Sequence, residues 1–264
     1  MKFYEYGAEN IKTLLFFQAT AEPWWIFEPS AKSLADEFHV FLAASDGHDP
    51  SQDNDYESVE KNTLEAAGLL REKGITHLDA IYGPCIGGAS ALRFLVTQDI
   101  TVDKVIIDSG LTPYKYPKWI CRLISVKDYV MIKTVVKNRR LLEKVSPPER
   151  WTPEGCDPVN NYDAVFDFLK NHYSSRTIYN AFWSGNNYTM PDPVPPVPTK
   201  IEYWYGSLEK KERKGDVKKD TAYMKRNFPQ TVFRELDGYS HLEMVICHPE
   251  EFRRTAMRFL EADQ

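Results

Sequence analysis

Residues 78–96 constrain the fold of this chain more than any other stretch. Residues 78–82 form a short apolar run that is typical of a buried β-strand, and residues 89–96 have the small and apolar side chains of a buried helix. Between them lies the glycine-rich turn GPCIGG, at residues 83–88. A strand that passes through a sharp turn directly into a helix indicates a chain built from alternating strands and helices.

Other segments repeat this pattern. Apolar runs predict five further strands, at residues 12–18, 40–44, 104–107, 200–205 and 231–236. Helical spacing is found at residues 55–73, which stop at Gly74, and at residues 250–260. Short strands alternating with helices predict an α/β fold, in which a mostly parallel sheet carries helices on both faces.

Residues 111–198 interrupt the alternation. They contain two helical stretches, at about residues 119–145 and 162–179, and end in the proline-rich residues 191–198. We interpret them as a helical cap inserted into a core domain formed by residues 1–110 and 199–264, with the prolines as a stiff return linker. The alternative is a pair of ordinary crossover helices with long loops.

The composition excludes several other classes of protein. The chain has 264 residues, of which 42% are hydrophobic, so it can bury a sizeable core. Its formal net charge is -5 and no segment forms a basic stripe, which argues against a nucleic-acid partner. The N-terminus lacks the apolar stretch of a signal peptide, and no run approaches the ~20 residues that a membrane span needs. We expect a soluble, cytoplasmic protein with no membrane partner.

The cysteine spacing predicts neither a zinc site nor a disulfide framework, and we expect no metal or organic cofactor. Cys85 differs from the other cysteines because Gly83 and Gly87 flank it. A nucleophile between a strand and a helix has a strained backbone, so side chains two residues away on either side would collide. The helix N-terminus also favours a thiolate. Cys85 is therefore the candidate nucleophile; the alternative, a buried inert thiol, is expected for Cys121 and Cys247, and Cys156 is expected in a loop without a role.

A cysteine nucleophile needs a base, for which His241 is the candidate. His241 lies in a loop between the last predicted strand and the last helix, at the sheet edge that carries residue 85. His48 also lies in a loop at that edge and is the rival. His39 and His77 stand at strand entrances, on the opposite edge.

The base needs an orienting acid, and here the sequence leaves a choice. Glu209 is the first carboxylate after the strand at residues 200–205, although residues 209–214 are also typical of a solvated helical face. Asp108, directly after the strand at residues 104–107, is the main alternative. Asp216 and Asp220 are weaker ones.

Backbone N–H groups are predicted to stabilise the oxyanion that forms during acyl transfer. One should come from Ile86, the residue after the candidate nucleophile. The other should come from the loop after the first predicted strand, where Ala19 or Thr20 lies.

These residues together resemble the α/β-hydrolase superfamily. The resemblance rests on the order Cys85, Glu209, His241, on the sequence IYGPCIGG at residues 81–88, and on LDGYSH at residues 236–241. It implies an α/β-hydrolase fold with a helical cap, and is greatest to small, capped bacterial hydrolases that usually carry serine at the position of Cys85. Residues 18–20, QAT, depart from the His-Gly of many members. The cysteine box is similar to those of dienelactone hydrolases and polyhydroxyalkanoate synthases.

The predicted function is that of an esterase, thioesterase or lactonase acting on a small-molecule acyl substrate. Cys85 would attack the carbonyl carbon, and water would then hydrolyse the acyl-cysteine. An acyltransferase that uses the same intermediate is one alternative, and a non-catalytic ligand-binding member of the fold is another.

Aromatic residues suggest an apolar acyl pocket. Those predicted to bind substrate are Trp24, Trp25, Trp119 and Trp183, together with Phe27, Tyr114, Tyr116, Tyr173 and Phe182. The alternative, equally favoured, is that these side chains pack the cap onto the core.

Overall fold

A single sheet of seven strands organises the computed structural model, which describes residues 1–113, 116–145 and 147–262. The strands run in the spatial order β1-β3-β2-β4-β5-β6-β7, with β1 antiparallel to β3 and the other neighbours parallel. This confirms the predicted mostly parallel sheet. The strands are β1 Lys2–Tyr6, β2 Thr13–Phe17, β3 His39–Ala44, β4 His77–Pro84, β5 Thr101–Asp108, β6 Lys200–Gly206 and β7 Val232–Leu236.

Strand β1 was not predicted from the sequence. It lies at the edge of the sheet, where Lys2 pairs with Ala44 and Tyr6 pairs with Val40. Its side chains are half-buried or exposed. An edge strand of this kind lacks the continuous apolar run that identifies the buried parallel strands.

Helices cover both faces of the sheet, as predicted. Along β2, Leu14 and Phe16 pack toward the face that carries α1 and α11, whereas Leu15 and Phe17 pack toward α2 and α3. This alternation follows from the two-residue period of a strand, and it requires apolar side chains at every position of a strand covered on both sides. The helices are α1 Glu28–Ser33, α2 Val59–Glu72, α3 Ile86–Thr97, α4 Lys118–Val135, α5 Arg139–Val145, α6 Pro158–Asp167, α7 Ser175–Asn187, α8 Ser207–Glu212, α9 Lys214–Asn227, α10 Glu243–Cys247 and α11 Pro249–Leu260.

The predicted helix at residues 55–73 begins later than expected. Helix α2 starts at Val59 because Ser58 caps it, with the Ser58 side chain accepting a hydrogen bond from the Lys61 N–H. Such caps satisfy the free N–H groups of the first turn. Across the described residues, no helix has the length and apolar character needed to cross a membrane.

Between β5 and β6 the chain forms helices α4 to α7, a 3-10 turn at Pro148–Trp151 and a π-helical turn at Phe168–His172. We call residues 111–198 the β5–β6 segment. Its two predicted helices are each divided: α4 and α5 are separate, and the second stretch breaks before α7, where Ser174 caps the new helix. Helix α7 contacts the body of the protein, since the Val59 N–H donates to Ser184 Oγ at 2.7 Å and the Tyr56 N–H donates to Thr177 Oγ1 at 3.0 Å.

Candidate active site

Cys85 lies in the turn between β4 and α3, with a left-handed backbone (φ 49°, ψ −116°) and a buried side chain. The surrounding glycines are required by close backbone contacts. A Cβ atom at Gly83 would lie 2.6 Å from the Gly87 carbonyl oxygen, and one at Gly87 would lie 2.6 Å from the Gln18 carbonyl oxygen. At Gly88 it would lie 2.6 Å from the Gly110 Cα. The start of α3 is therefore in close backbone contact with the loops that follow β2 and β5.

His241 and Glu209 lie in contact at the same sheet edge. His241 Nδ1 is 2.8 Å from Glu209 Oε1. Glu209 is buried near the start of α8, and its Oε2 accepts hydrogen bonds from Ser109 Oγ at 2.5 Å and from the Gly206 N–H at 3.4 Å. Burial raises the pKa of Glu209, but the hydrogen bonds from His241 and Ser109 and the charge of Arg213 outweigh it, so the pKa is lowered overall. A carboxylate with these donors stays ionised.

The imidazole of His241 lies between Glu209 and Cys85. Burial lowers its pKa, yet hydrogen bonds with the Cys85 and Glu209 side chains, and the negative charges of these groups, raise the pKa to about 10. The arrangement favours a charged imidazolium beside the sulfur. An adjacent imidazolium favours the thiolate, which is the nucleophilic form of cysteine.

Asp108 has different partners from those of Glu209. Its Oδ2 accepts a hydrogen bond from Tyr82 Oη at 2.6 Å, and its Oδ1 accepts one from Ser109 Oγ at 3.4 Å. Burial raises the pKa of Asp108 to about 6, and the nearby charge of Glu209 adds to this. Among the described contacts, the acid that hydrogen-bonds His241 is Glu209.

The other candidate residues have different hydrogen-bond partners, although Asp216 lines the same cavity as Cys85. Asp216 Oδ2 is 3.4 Å from Arg213 Nη2, and Asp220 Oδ1 accepts from the backbone and hydroxyl of Thr112. His48 is buried, with Nδ1 2.9 Å from the Asp46 carbonyl oxygen, and burial lowers its pKa to about 4. A histidine in this environment remains neutral.

Ile86 and Thr20, two of the residues predicted as oxyanion donors, lie beside Cys85. Ile86 is the first residue of α3, and N–H groups in the first turn of a helix have no acceptor within it. Thr20 lines the same cavity as Cys85. The loop that carries Ala19 and Thr20 is held by Tyr173, whose Oη lies 2.9 Å from Thr20 Oγ1 and accepts from the Ala21 N–H at 3.1 Å.

A cavity of about 580 Å³ opens at Cys85. Its apolar wall includes Tyr116, Ile124, Met131 and Phe182 from the β5–β6 segment. Among the described residues that line it, none is a tryptophan. Trp24 stacks on Tyr4, Trp25 contacts Phe168 edge-on, Trp119 is exposed and Trp183 is half-buried; Tyr114 lies outside the described residues. Of the aromatic side chains suggested by the sequence, the structure places Tyr116 and Phe182 in the cavity.

The fold matches those of solved hydrolases over nearly the whole chain. The structure of an α/β hydrolase family protein from Desulfitobacterium hafniense is similar with a TM-score of 0.74 and 16% identity, covering 98% of this chain and all of that one. MenH from S. aureus is similar with a TM-score of 0.71 and 18% identity, covering 99% and 97% of the two chains. A thermophilic esterase from Thermogutta terrifontis is similar with a TM-score of 0.68 and 15% identity, covering 99% and 93%.

This chain has the α/β-hydrolase fold. No protein-family model matches the sequence, and no curated protein matches it. The likeness therefore lies in the α/β-hydrolase architecture, whose sheet edge brings together the loops after β2, β4, β6 and β7.

Arg213 lies at the candidate site and was not predicted from the sequence. It lies between α8 and α9, and its Nη1 is 3.1 Å from Glu209 Oε1 and 2.9 Å from His241 Nδ1. The only sequence signal was its spacing four residues after Glu209, which is also typical of an ion pair on a solvated helix. In the folded protein Arg213 lies on the inner side of this turn, where it lines the Cys85 cavity.

Glu22 is the second missed residue. It lies in the loop after β2, and its Oε2 is buried without a hydrogen-bond partner among the described residues. Burial raises the pKa of Glu22 to about 8, although the charge of His241 acts in the opposite direction. At neutral pH a carboxyl group in this setting keeps its proton and is a neutral hydrogen-bond donor.

Proposed function

We propose that this protein is an acyl hydrolase that cleaves an ester, thioester or lactone through an acyl-cysteine on Cys85. The observation that carries the proposal is the contact between Glu209 and His241, at 2.8 Å, with Cys85 near enough to the imidazole to raise the pKa of His241. A nucleophile, a base and an orienting acid in this order are the three parts that covalent acyl transfer needs. The similar folds of solved esterases and hydrolases support a hydrolase role in general.

The first step is attack by the Cys85 thiolate on the carbonyl carbon. A carbon–sulfur bond forms, and the carbonyl oxygen becomes an oxyanion that the Ile86 N–H and an N–H from the Ala19–Thr20 loop stabilise. When the oxyanion collapses, the bond to the leaving group breaks. The His241 imidazolium gives its proton to that leaving oxygen or sulfur, and the acyl group stays on Cys85.

The second step is hydrolysis of the acyl-cysteine. His241, now neutral, takes a proton from a water molecule that attacks the thioester carbon. Collapse of the second oxyanion releases the carboxylic acid and restores the thiolate–imidazolium pair. Glu209 keeps the ring in one orientation and stabilises its charged form throughout.

We also propose that residues 111–198 form a cap domain on a core made of residues 1–110 and 199–264. In support, the β5–β6 segment supplies the apolar wall of the Cys85 cavity, and its Tyr173 holds the loop proposed as part of the oxyanion hole. A cap in this place limits access of bulk water, which strengthens the electrostatic interactions at the nucleophile. The cap is also the part of the chain expected to select the acyl group.

Chromogenic esters and thioesters with short acyl chains test the proposal. We expect turnover by the wild-type protein, loss of turnover in Cys85→Ala, and a mass increase of one acyl group on Cys85 in intact-mass spectra. Cys156→Ser is the matched control, because Cys156 is exposed and lies outside the site. Acyl transfer to an added amine in preference to water would favour the acyltransferase alternative, and full turnover by Cys85→Ala would contradict the proposal.

A further inference from the structure

We propose that the outer face of helix α4 docks on an anionic lipid surface, next to the entrance of the Cys85 cavity. Entry of a lipid-borne acyl substrate at this point rests on the proposed function; the docking itself does not. The absence of a spanning segment predicts no membrane partner, but an interfacial helix has a different sequence pattern.

The first observation is an exposed apolar stripe on α4. We call it the α4 stripe; it consists of Trp119, Leu123, Val126 and Val130. The side chains of Trp119, Leu123 and Val130 are 65%, 60% and 52% exposed. At 3.6 residues per turn, the four positions fall within a sector of about 60°. Exposed apolar residues scattered singly are normal on a protein surface, but a contiguous stripe on one helix indicates a contact surface.

The opposite side of α4 is already used for packing. Cys121, Ser125 and Val135 are buried, and α4 packs against α7. The stripe is therefore a second apolar face, unrelated to the burial of this helix. The folding of the protein does not explain why four large apolar side chains are kept in solvent.

The second observation is the charge around the stripe. Residues 118–145 contain eight Lys and Arg against two Asp and Glu, a net charge of +6, whereas the whole chain carries -5. The rest of the chain therefore carries -11. Lys118, Arg122 and Lys127 are exposed on α4 beside the stripe, and Lys137, Arg140 and Lys144 are exposed in the residues that follow α4. A strong positive cluster on an otherwise acidic protein selects a negatively charged partner.

The third observation is the position of the stripe relative to the site. Ile124, Lys127 and Met131 of α4 line the Cys85 cavity. They occupy the side of the helix that adjoins the stripe, so a surface bound to the stripe meets the cavity at its entrance. An acyl chain leaving that surface would then meet apolar side chains of α4 before it reached the thiolate.

A lipid surface fits these features better than a folded protein does. Trp and Leu on one face of a helix with Lys and Arg on its flanks is the pattern of a helix that lies in a membrane interface. Basic residues beside it gain from the negative potential of anionic lipids. The stripe lies on one convex helix and not in a groove, so a protein partner would have to supply the groove.

Vesicle co-sedimentation of the full chain tests the docking. We expect binding to phosphatidylglycerol vesicles, weak binding to phosphatidylcholine vesicles, and a marked loss at about 0.5 M NaCl, where exposed charges are screened. Leu123→Ser with Val130→Ser should weaken binding to phosphatidylglycerol about tenfold or more. Arg122→Glu with Lys118→Glu should weaken it as well. The matched control is Leu64→Ser, because Leu64 is 59% exposed on α2 and away from the stripe.

The outcomes separate this proposal from its competitors and from the proposed function. Equal binding to both lipids, or binding that survives both double variants, would overturn the docking. The docking would also be overturned if light scattering showed a dimer that depends on the stripe and no vesicles were bound. That result would assign the stripe to a second copy of the chain. Circular dichroism checks that each variant is folded. If Cys85→Ala binds vesicles and the wild type forms no acyl-enzyme, the docking stands and the acyl-hydrolase proposal is refuted. The Leu123→Ser, Val130→Ser variant should keep its turnover of soluble short-chain substrates.

Discussion

Arg213 Nη1 lies 2.9 Å from His241 Nδ1. Both nitrogens approach the same carboxylate oxygen, Glu209 Oε1, at 3.1 and 2.8 Å. A guanidinium is always charged, so its position beside the ring disfavours a second positive charge on His241. Glu209 must therefore stabilise two cations at once, and Arg213 acts against the Cys85 and Glu209 contacts that favour the imidazolium.

Replacing Arg213 by Gln should slow the alkylation of Cys85. The positive charge of the guanidinium, which contacts the His241 ring, stabilises the Cys85 thiolate, and the thiolate is the form that reacts. At about pH 5.5 the imidazolium is already formed, so alkylation by iodoacetamide should become severalfold slower. Rates measured against pH check this. Arg213→Lys keeps the charge and should stay near the wild type; faster alkylation in Arg213→Gln would mean that the guanidinium acts mainly against the imidazolium.

Replacing Glu209 by Gln should lower turnover by about a hundredfold or more, because the amide cannot stabilise the imidazolium or keep the ring oriented as the carboxylate does. Asp108→Asn should have a smaller effect, since Asp108 contacts Tyr82 and Ser109. Steady-state rates on a soluble ester, with thermal unfolding as a check on folding, compare the two. A larger loss of turnover in Asp108→Asn would mean that the orienting acid is Asp108, the last residue of β5.

Glu22 predicts a pH dependence of stability. Its pKa is raised in the folded protein, from 4.5 to about 8. Between these two values the unfolded chain releases a proton that the folded chain keeps, so this group makes the free energy of unfolding fall as the pH rises through that window. Below about pH 4.5 both states are protonated and the effect vanishes. Glu22→Gln should therefore stabilise the protein at pH 8, by on the order of 2 kcal/mol, and much less at pH 5. Urea unfolding at the two pH values measures the difference; the exposed Glu9→Gln serves as the comparison, and an equal change at both pH values would contradict the prediction.

Two glycine-to-alanine substitutions should have opposite effects. Gly87→Ala places a Cβ atom 2.6 Å from the Gln18 carbonyl oxygen, so we expect a loss of about 1–3 kcal/mol in the free energy of unfolding and a drop in turnover. Gly68 lies within α2 and has no atom within 4 Å of its Cβ position. Gly68→Ala should stabilise the protein by about 0.5–1 kcal/mol with unchanged turnover, because alanine is the better helix former. Chemical unfolding and ester turnover measure both variants, and a stable, active Gly87→Ala would refute the tight contact.

Phe182→Ala should change the order of preference among acyl chains. Phe182 lines the Cys85 cavity, and replacing its ring by a methyl group enlarges the cavity on its apolar side. Specificity constants for acyl chains of increasing length measure this, and we expect a gain for longer chains relative to acetyl. Trp183→Ala is the comparison that decides between the two interpretations of the aromatic residues: an equal change in its acyl preference would support the predicted tryptophan contacts, and a loss of stability alone would support packing.

The sequence determined the parts of this protein that depend on neighbouring residues. Alternating strands and helices predicted a mostly parallel sheet with helices on both faces, because a strand buried on both sides must be apolar throughout. The glycines beside Cys85 predicted the strand–turn–helix, since only glycine tolerates the backbone contacts made there. The positions of Glu209 and His241 after successive strands also followed, because the carboxyl ends of parallel strands meet at one edge.

The tertiary structure alone decided what meets at that edge. Glu22 and His241 are far apart in the sequence, as are Cys85 and Arg213, and no local periodicity reports their proximity. Arg213 and Glu209 look like a solvated helical pair until the fold buries the carboxylate between Ser109 and His241. The choice between Phe182 and Trp183 as a cavity side chain depends on the rotation of α7 about its axis. Packing between residues far apart in the sequence sets these distances and the rotation of α7. It therefore also decides which charged side chains lie close enough to His241 to affect its protonation.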